Sequence, residues 1–188
     1  MRMPEVLTQT KPTATSSSGK AMISAARIAR RVRRLGRHIS SAYADIETPL
    51  VMLVVLKGAT VFAADLLRTL NIPAELEFVR AASYGAGTAS SGRVRLAHMV
   101  DGTVADRHVL LVEDIVDSGR TAQAVTKRVR QMKPASLRLA ALLDRPARRA
   151  VDVNIDFRGF VIPDRFVIGY GLDYAGLYRE LPDIHSLG

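Results

Sequence analysis

The chain has no cysteine among its 188 residues, so neither a disulfide framework nor a thiolate metal site can form, and redox does not decide its compartment. Its longest apolar run, residues 49–56, is far below the roughly 20 residues that a membrane-spanning helix needs. No transmembrane helix is expected. A Walker loop of the form G-x-x-x-x-G-K-[ST] is missing, and no G-x-G-x-x-G follows a strand, which removes the two commonest nucleotide cradles. Internal repeats are absent as well. Acid is nearly lacking from the start of the chain, where residues 1–40 hold nine Lys or Arg against one Glu. Residues 41–188 hold 18 against 17, so the body is close to neutral.

What is present reads as one α/β domain. A chain of this length with 48% hydrophobic residues can bury one sizeable core and is too short for two ordinary domains. Residues 1–20, rich in Thr, Ser and Pro, read as a disordered basic tail, and residues 21–188 as the domain. Arg27, Arg30, Arg31, Arg33, Arg34 and Arg37 interleave with Ile28, Val32, Leu35 and Ile39 at helical spacing. The pattern predicts a helix with one packed face and one solvated arginine face. Binding of RNA or of an anionic surface is the alternative use of that charge, and the Arg- and Ser-rich, acid-poor start also fits an organelle transit peptide.

Further along, apolar runs alternate with helical patterns, which predicts right-handed βαβ units and a parallel sheet. Strands are expected at about 50–56, 75–80, 94–96, 109–115 and 137–143, with helices at about 59–70 and 119–132. The Gly-, Ser- and Thr-rich stretch 83–92 breaks this alternation and reads as a long loop suited to closing over a site.

Residues 109–121 carry the most chemistry. Residues 109–112 are continuously apolar, as in a strand buried on both faces, and should lie mid-sheet. Glu113 and Asp114 follow where the strand emerges. Acids at consecutive strand positions point to opposite faces, so they are not expected to serve one ligand equivalently. They suit ribose hydroxyls or hydrated Mg²⁺. The loop Asp117-Ser118-Gly119-Arg120-Thr121 then offers backbone N–H groups, two hydroxyls and a helix N-terminus to an anion. Asp117 by itself could equally be a helix N-cap.

The segment Glu113-Asp114-Ile115-Val116-Asp117-Ser118-Gly119-Arg120-Thr121 resembles the phosphoribosyl pyrophosphate signature of type I phosphoribosyltransferases. Other motifs follow in order: Leu56-Lys57-Gly58-Ala59, Ser83-Tyr84-Gly85 with Ser90-Ser91-Gly92, Leu143-Asp144-Arg145-Pro146, and Phe166-Val167-Ile168-Gly169-Tyr170-Gly171-Leu172-Asp173-Tyr174. As a set they are similar to the hypoxanthine(-guanine) branch. The resemblance implies a central, mainly parallel sheet flanked by helices, with a small hood formed by the N- and C-terminal segments. It implies Mg²⁺-dependent transfer of a 5-phosphoribosyl group from phosphoribosyl pyrophosphate to N9 of hypoxanthine or guanine. The products would be IMP or GMP and pyrophosphate.

Roles follow from the same resemblance. Asp117 would be the acid/base at the purine N7, and Ser118, Gly119, Arg120 and Thr121, with Asp117, would hold the 5′-phosphate. Glu113 and Asp114 would hold the ribose. Lys57, Gly58, Ser83, Tyr84 and Arg179 would surround pyrophosphate, with a cis peptide at Leu56-Lys57 and Tyr84 on the closing loop. Phe166 would stack on the base, the Val167 backbone would read its edge, and Asp173 would line the purine end and coordinate Mg²⁺. Glu113 and Asp114 are further candidate metal ligands. Arg145 stands where the family usually has a lysine donating to the purine O6; a planar fork is not equivalent to an ammonium there. This leaves hypoxanthine, guanine and xanthine open. The partners implied are the 6-oxopurine and phosphoribosyl pyrophosphate, with a cytoplasmic homodimer or homotetramer. The competing class is an RNA-binding transcriptional regulator on the same scaffold, which the Phe166–Tyr174 motif argues against.

Overall fold

The computed structural model describes residues 21–83, 94–97 and 104–187. The expected tail at 1–20 and nearly all of the expected closing loop at 83–92 lie outside the described residues. The first element, α1 (Ala25–Ala42), turns Ile28, Val32, Leu35 and Ile39 inward, so the spacing of its apolar residues is what seats it. Next come β1 (Leu50–Leu56), α2 (Thr60–Leu67), β2 (Ala74–Ser83), β3 (Val94–Ala97), β4 (His108–Val116), α3 (Arg120–Gln131) and β5 (Ser136–Asp144). The chain closes with β6 (Phe157–Val161), β7 (Phe166–Ile168) and β8 (His185–Leu187).

Six strands form one sheet in the order β3-β2-β1-β4-β5-β6. All neighbours run parallel except β2 and β3, which are antiparallel at the edge. Both faces are covered, which is why β1 is a continuous apolar run rather than an alternating one. Leu50, Met52 and Val54 of β1, with Leu110 and Val112 of β4, pack against the inward residues of α1 and against Phe62 and Leu66 of α2. Val51, Leu53 and Val55, with Val109 and Leu111, pack on the other face against Ala122, Val125 and Val129 of α3. Each fully buried aliphatic side chain of this kind contributes roughly 1.5–3 kcal/mol. Strand β4, with β1 on one side and β5 on the other, lies mid-sheet as its composition required.

The second sheet pairs β7 with β8. Beside it Ile23 and Ile184 exchange backbone hydrogen bonds of 3.1 and 2.9 Å, and the Ala25 amide donates to Asp183 at 2.6 Å. The N- and C-terminal segments thus join into the expected hood. Strands β6, β7 and β8 go beyond the sequence expectation. β7 and β8 are three residues each, too short for a period to register, and β6 has a central glycine that reads as a breaker.

Candidate active site

A cleft of about 450 Å³ opens at the carboxyl ends of β1 and β4. This is where the strand order reverses direction, the usual ligand crevice of an open α/β sheet. The turn after β1 supplies Lys57 and Gly58, and the Leu56-Lys57 peptide is cis. The end of β4 and its loop supply Glu113, Asp114, Asp117, Ser118, Gly119 and Thr121; the segment after β7 contributes Asp173 and Arg179. Four other candidates, Arg120, Arg145, Phe166 and Val167, do not line this cleft. Ser83 is the last residue of β2, and Tyr84 lies outside the described residues.

The loop ahead of α3 is built for an anion. Gly119 caps the helix with φ of 82°, and the Arg120 amide of the first turn donates to Ser118 Oγ at a long 3.5 Å. A positive φ of that size favours glycine. The amides of Ser118 and Gly119 make no hydrogen bond among the described residues. Buried backbone donors without partners are rare, and here they sit at a helix N-terminus facing the cleft. Asp117 is therefore not the cap.

Its carboxylate turns instead to Arg145. The guanidinium Nε donates to Asp117 Oδ1 at 3.0 Å and Nη2 to Oδ2 at 2.6 Å, a two-pronged pairing. Arg145 Nη1 donates to the carbonyl of Arg165 at 2.6 Å, immediately before Phe166. The residue expected to read the purine is thus first a clamp on the expected acid/base, joining it to β7. Phe166 is 47% exposed, and its ring meets Tyr174 edge to face, with centroids 5.8 Å apart and planes at 85°. An exposed aromatic face held by a second ring is suited to stacking. In the sequence Tyr174 is only the end of the Phe166–Tyr174 motif, with no signal of its own for this contact. Val167 is buried and pairs with Ser186 across the hood.

Two neighbouring acids, Glu113 and Asp114, stand on β4. Both line the cleft near the carboxyl end of the strand. Burial pushes the Glu113 carboxyl well up, and the neighbouring Asp114 adds to the rise. Asp114 is pushed up to about 6 by burial, opposed by the Ile115 amide, which donates to its Oδ1 at 2.9 Å. Asp114 also explains Gly58: a Cβ there would stand 1.6 Å from its Oδ2.

Asp173 accepts from the Gly176 amide at 2.8 Å and pairs with Arg179 at 2.7 Å, while Arg179 also donates to the Gly171 carbonyl. Among the described residues no three acidic or histidine side chains gather as a metal cage. One or two carboxylates facing a phosphate site is the donor set of Mg²⁺ held mainly by substrate and water oxygens, and Asp173 fits that use.

The model of the phosphoribosyl transferase domain matches residues 20–175. The chain belongs to the phosphoribosyl transferase family. Among curated proteins it is 43% identical over 163 residues to the hypoxanthine phosphoribosyltransferase of Salmonella typhimurium, covering 87% of this chain and 92% of that one. A solved hypoxanthine phosphoribosyltransferase from Staphylococcus aureus superposes with a TM-score of 0.86 at 32% identity, covering 95% of this chain and 97% of that one. A hypoxanthine-guanine phosphoribosyltransferase from Bacillus anthracis, solved with HEPES in its active site, gives 0.82 at 38% identity, covering 90% and 99%. The fold is thus that of the type I phosphoribosyltransferases, as the ordered motifs implied.

Two outcomes follow from this geometry. Gly58→Ala should displace Asp114 and lower phosphoribosyl transfer by about 100-fold, as misplacement by an ångström does; steady-state rates check it, and a wild-type rate would contradict the contact. Asp114, raised from 3.8 to about 6, favours the fold in its protonated form. Its contribution is full below about pH 4 and is lost as pH rises through about 6. Thermal melts of ligand-free protein across pH 4–7 should therefore show Asp114→Asn gaining on wild type as pH rises, whereas a constant difference would count against the shift.

Proposed function

We propose that the protein is a purine-salvage hypoxanthine phosphoribosyltransferase, converting phosphoribosyl pyrophosphate and hypoxanthine to IMP and pyrophosphate. The observation that carries the reading is a single cleft combining unbonded loop amides, the cations Lys57 and Arg179, two carboxyls pushed up by burial, and Asp117. Residues 117–121 take the 5′-phosphate, and Glu113 and Asp114 take the ribose hydroxyls. Burial favours their neutral form, in which a carboxyl can both donate and accept. Lys57, Gly58 and Arg179 take pyrophosphate, with Ser83 and Tyr84 assigned to the same group. Phe166 stacks on the purine, and the Val167 backbone meets its edge.

In the transfer, purine N9 forms the bond to the anomeric carbon as the bond to the pyrophosphate oxygen breaks. The N7 proton passes to the Asp117 carboxylate, and pyrophosphate departs with the bonding electron pair. Arg145 keeps Asp117 in place, and Nη1 and Nη2 each retain a further N–H, the donors assigned to a purine O6. Mg²⁺, when bound, neutralises the charge gathering on pyrophosphate; Asp173 would hold it, with Glu113 and Asp114 as further oxygens. A cytoplasmic homodimer or homotetramer belongs to the same proposal, and the exposed Leu76 and Phe78 on β2 offer apolar surface for self-association. Among the described residues no helix is long and apolar enough to cross a membrane. The arginines of α1, the basis for an RNA-binding reading, do not line the cleft.

Steady-state kinetics with hypoxanthine, guanine and xanthine under saturating phosphoribosyl pyrophosphate test the proposal. Hypoxanthine should give the highest kcat/KM, and Asp117→Asn should lower turnover by about 100-fold or more. Inactivity with all three bases would overturn the function; full turnover of Asp117→Asn would overturn the acid/base role.

A further inference from the structure

The amides of the anion loop face the cleft because its carbonyls are held from behind. Arg149, in the segment after β5, donates from Nε to the Asp117 carbonyl at 3.0 Å and from Nη2 to the Val116 carbonyl at 3.2 Å. The amides of Ala150 and Val151 donate to the Ser118 carbonyl at 3.0 and 3.2 Å. Three successive carbonyls are thereby drawn to one side. In a trans peptide the N–H points opposite to the C=O, so the amides of Asp117, Ser118 and Gly119 are aimed the other way. That way lies the cleft, which those three residues line and Arg149 does not.

Arg149 is itself fixed. Its Nη2 pairs with Asp144, the last residue of β5, which is 4% exposed and also takes Arg158 at 3.0 Å. Asp144 lies in register with Val116, so the acid is anchored to the strand that launches the loop. The same segment touches the loop directly, since a Cβ on Gly119 would meet the Val151 carbonyl and the Arg149 side chain.

We propose that Arg149 is a positioning residue, fixing the Val116 and Asp117 carbonyls so that the amides of Asp117 and Ser118 are set for the 5′-phosphate before the substrate arrives. The inference rests on the assignment of residues 117–121 to that phosphate. Its signature is selective. A loop whose amides are free to rotate must be ordered by the ligand, which weakens binding of the phosphoribosyl substrate, while the Asp117 carboxylate stays held by Arg145.

Three variants separate this from a purely structural role. Arg149→Gln should raise KM for phosphoribosyl pyrophosphate by about tenfold or more, with kcat and the KM for hypoxanthine within about threefold of wild type. Arg149→Lys keeps an ion pair with Asp144 but has no fork to span two carbonyls. It should recover the melting temperature while the raised KM persists. Arg158→Gln removes the other partner of Asp144 without touching the loop, and should leave that KM unchanged. Restoration of both stability and KM by the lysine would reduce Arg149 to a structural residue. Titration of the full chain with ribose 5-phosphate reads the loop without the reaction. If Arg149→Gln binds it as tightly as wild type, the inference fails, whether or not the transfer reaction stands; if wild type binds it but transfers to no purine, only the function fails.

Discussion

Parallel pairing of β1 with β4, from Val51 opposite Val109 to Val54 opposite Val112, is the contact on which the site depends. The two strands continue into elements on opposite faces: α2 packs with the α1 side of the sheet and α3 with the other. A gap opens between their carboxyl ends because each chain turns away from the other. Into it fall a glycine turn from β1 and an anion loop from β4. The strands hold this arrangement because both of their faces are dry, so the pairing and the helix packing stabilise one register together.

Around the gap, acids are sorted by whether an arginine reaches them. Asp117 has Arg145, Asp144 has Arg149 and Arg158, and Asp173 has Arg179. Glu113 and Asp114 have no salt bridge among the described residues, and burial drives both toward the neutral form. The paired acids act as fixed charges with set geometry, and the unpaired ones as hydrogen-bonding carboxyls. Partly buried ion pairs of this kind add little net stability, since desolvation offsets the attraction, but they define where each group sits. The arginine face of α1 follows a similar logic at lower stakes: Arg27 and Arg31 lie over the Phe160 ring at 5.8 and 5.1 Å, attaching the helix to β6.

Much of the fold was legible because its cues are local. β1 announces itself as an uninterrupted apolar run, β4 by the four apolar residues 109–112, and α1 by apolar residues at helical spacing. The hood was legible only through family resemblance, since β7 and β8 are held by pairing with each other across the chain. Within the site, Lys57, Gly58, Asp117 and Asp173 could be picked from motifs. The upward shift of the β4 acids could not, because burial causes it and only the packed sheet sets that burial. Arg149 left no signal beyond a basic residue in a loop.

The sequence by itself determined the cradle of residues 109–121, because a strand, two acids, an anion loop and a helix in direct succession need only backbone geometry to assemble. It also settled the family, since the order of the motifs survives without coordinates. The tertiary structure decided what each charge does. Arg145 lies 28 residues from Asp117 and Arg149 lies 32 from it, and these contacts form only when β4 and β5 align their ends. Spacing along a chain does not encode such partners, because they are chosen by where two strands stop.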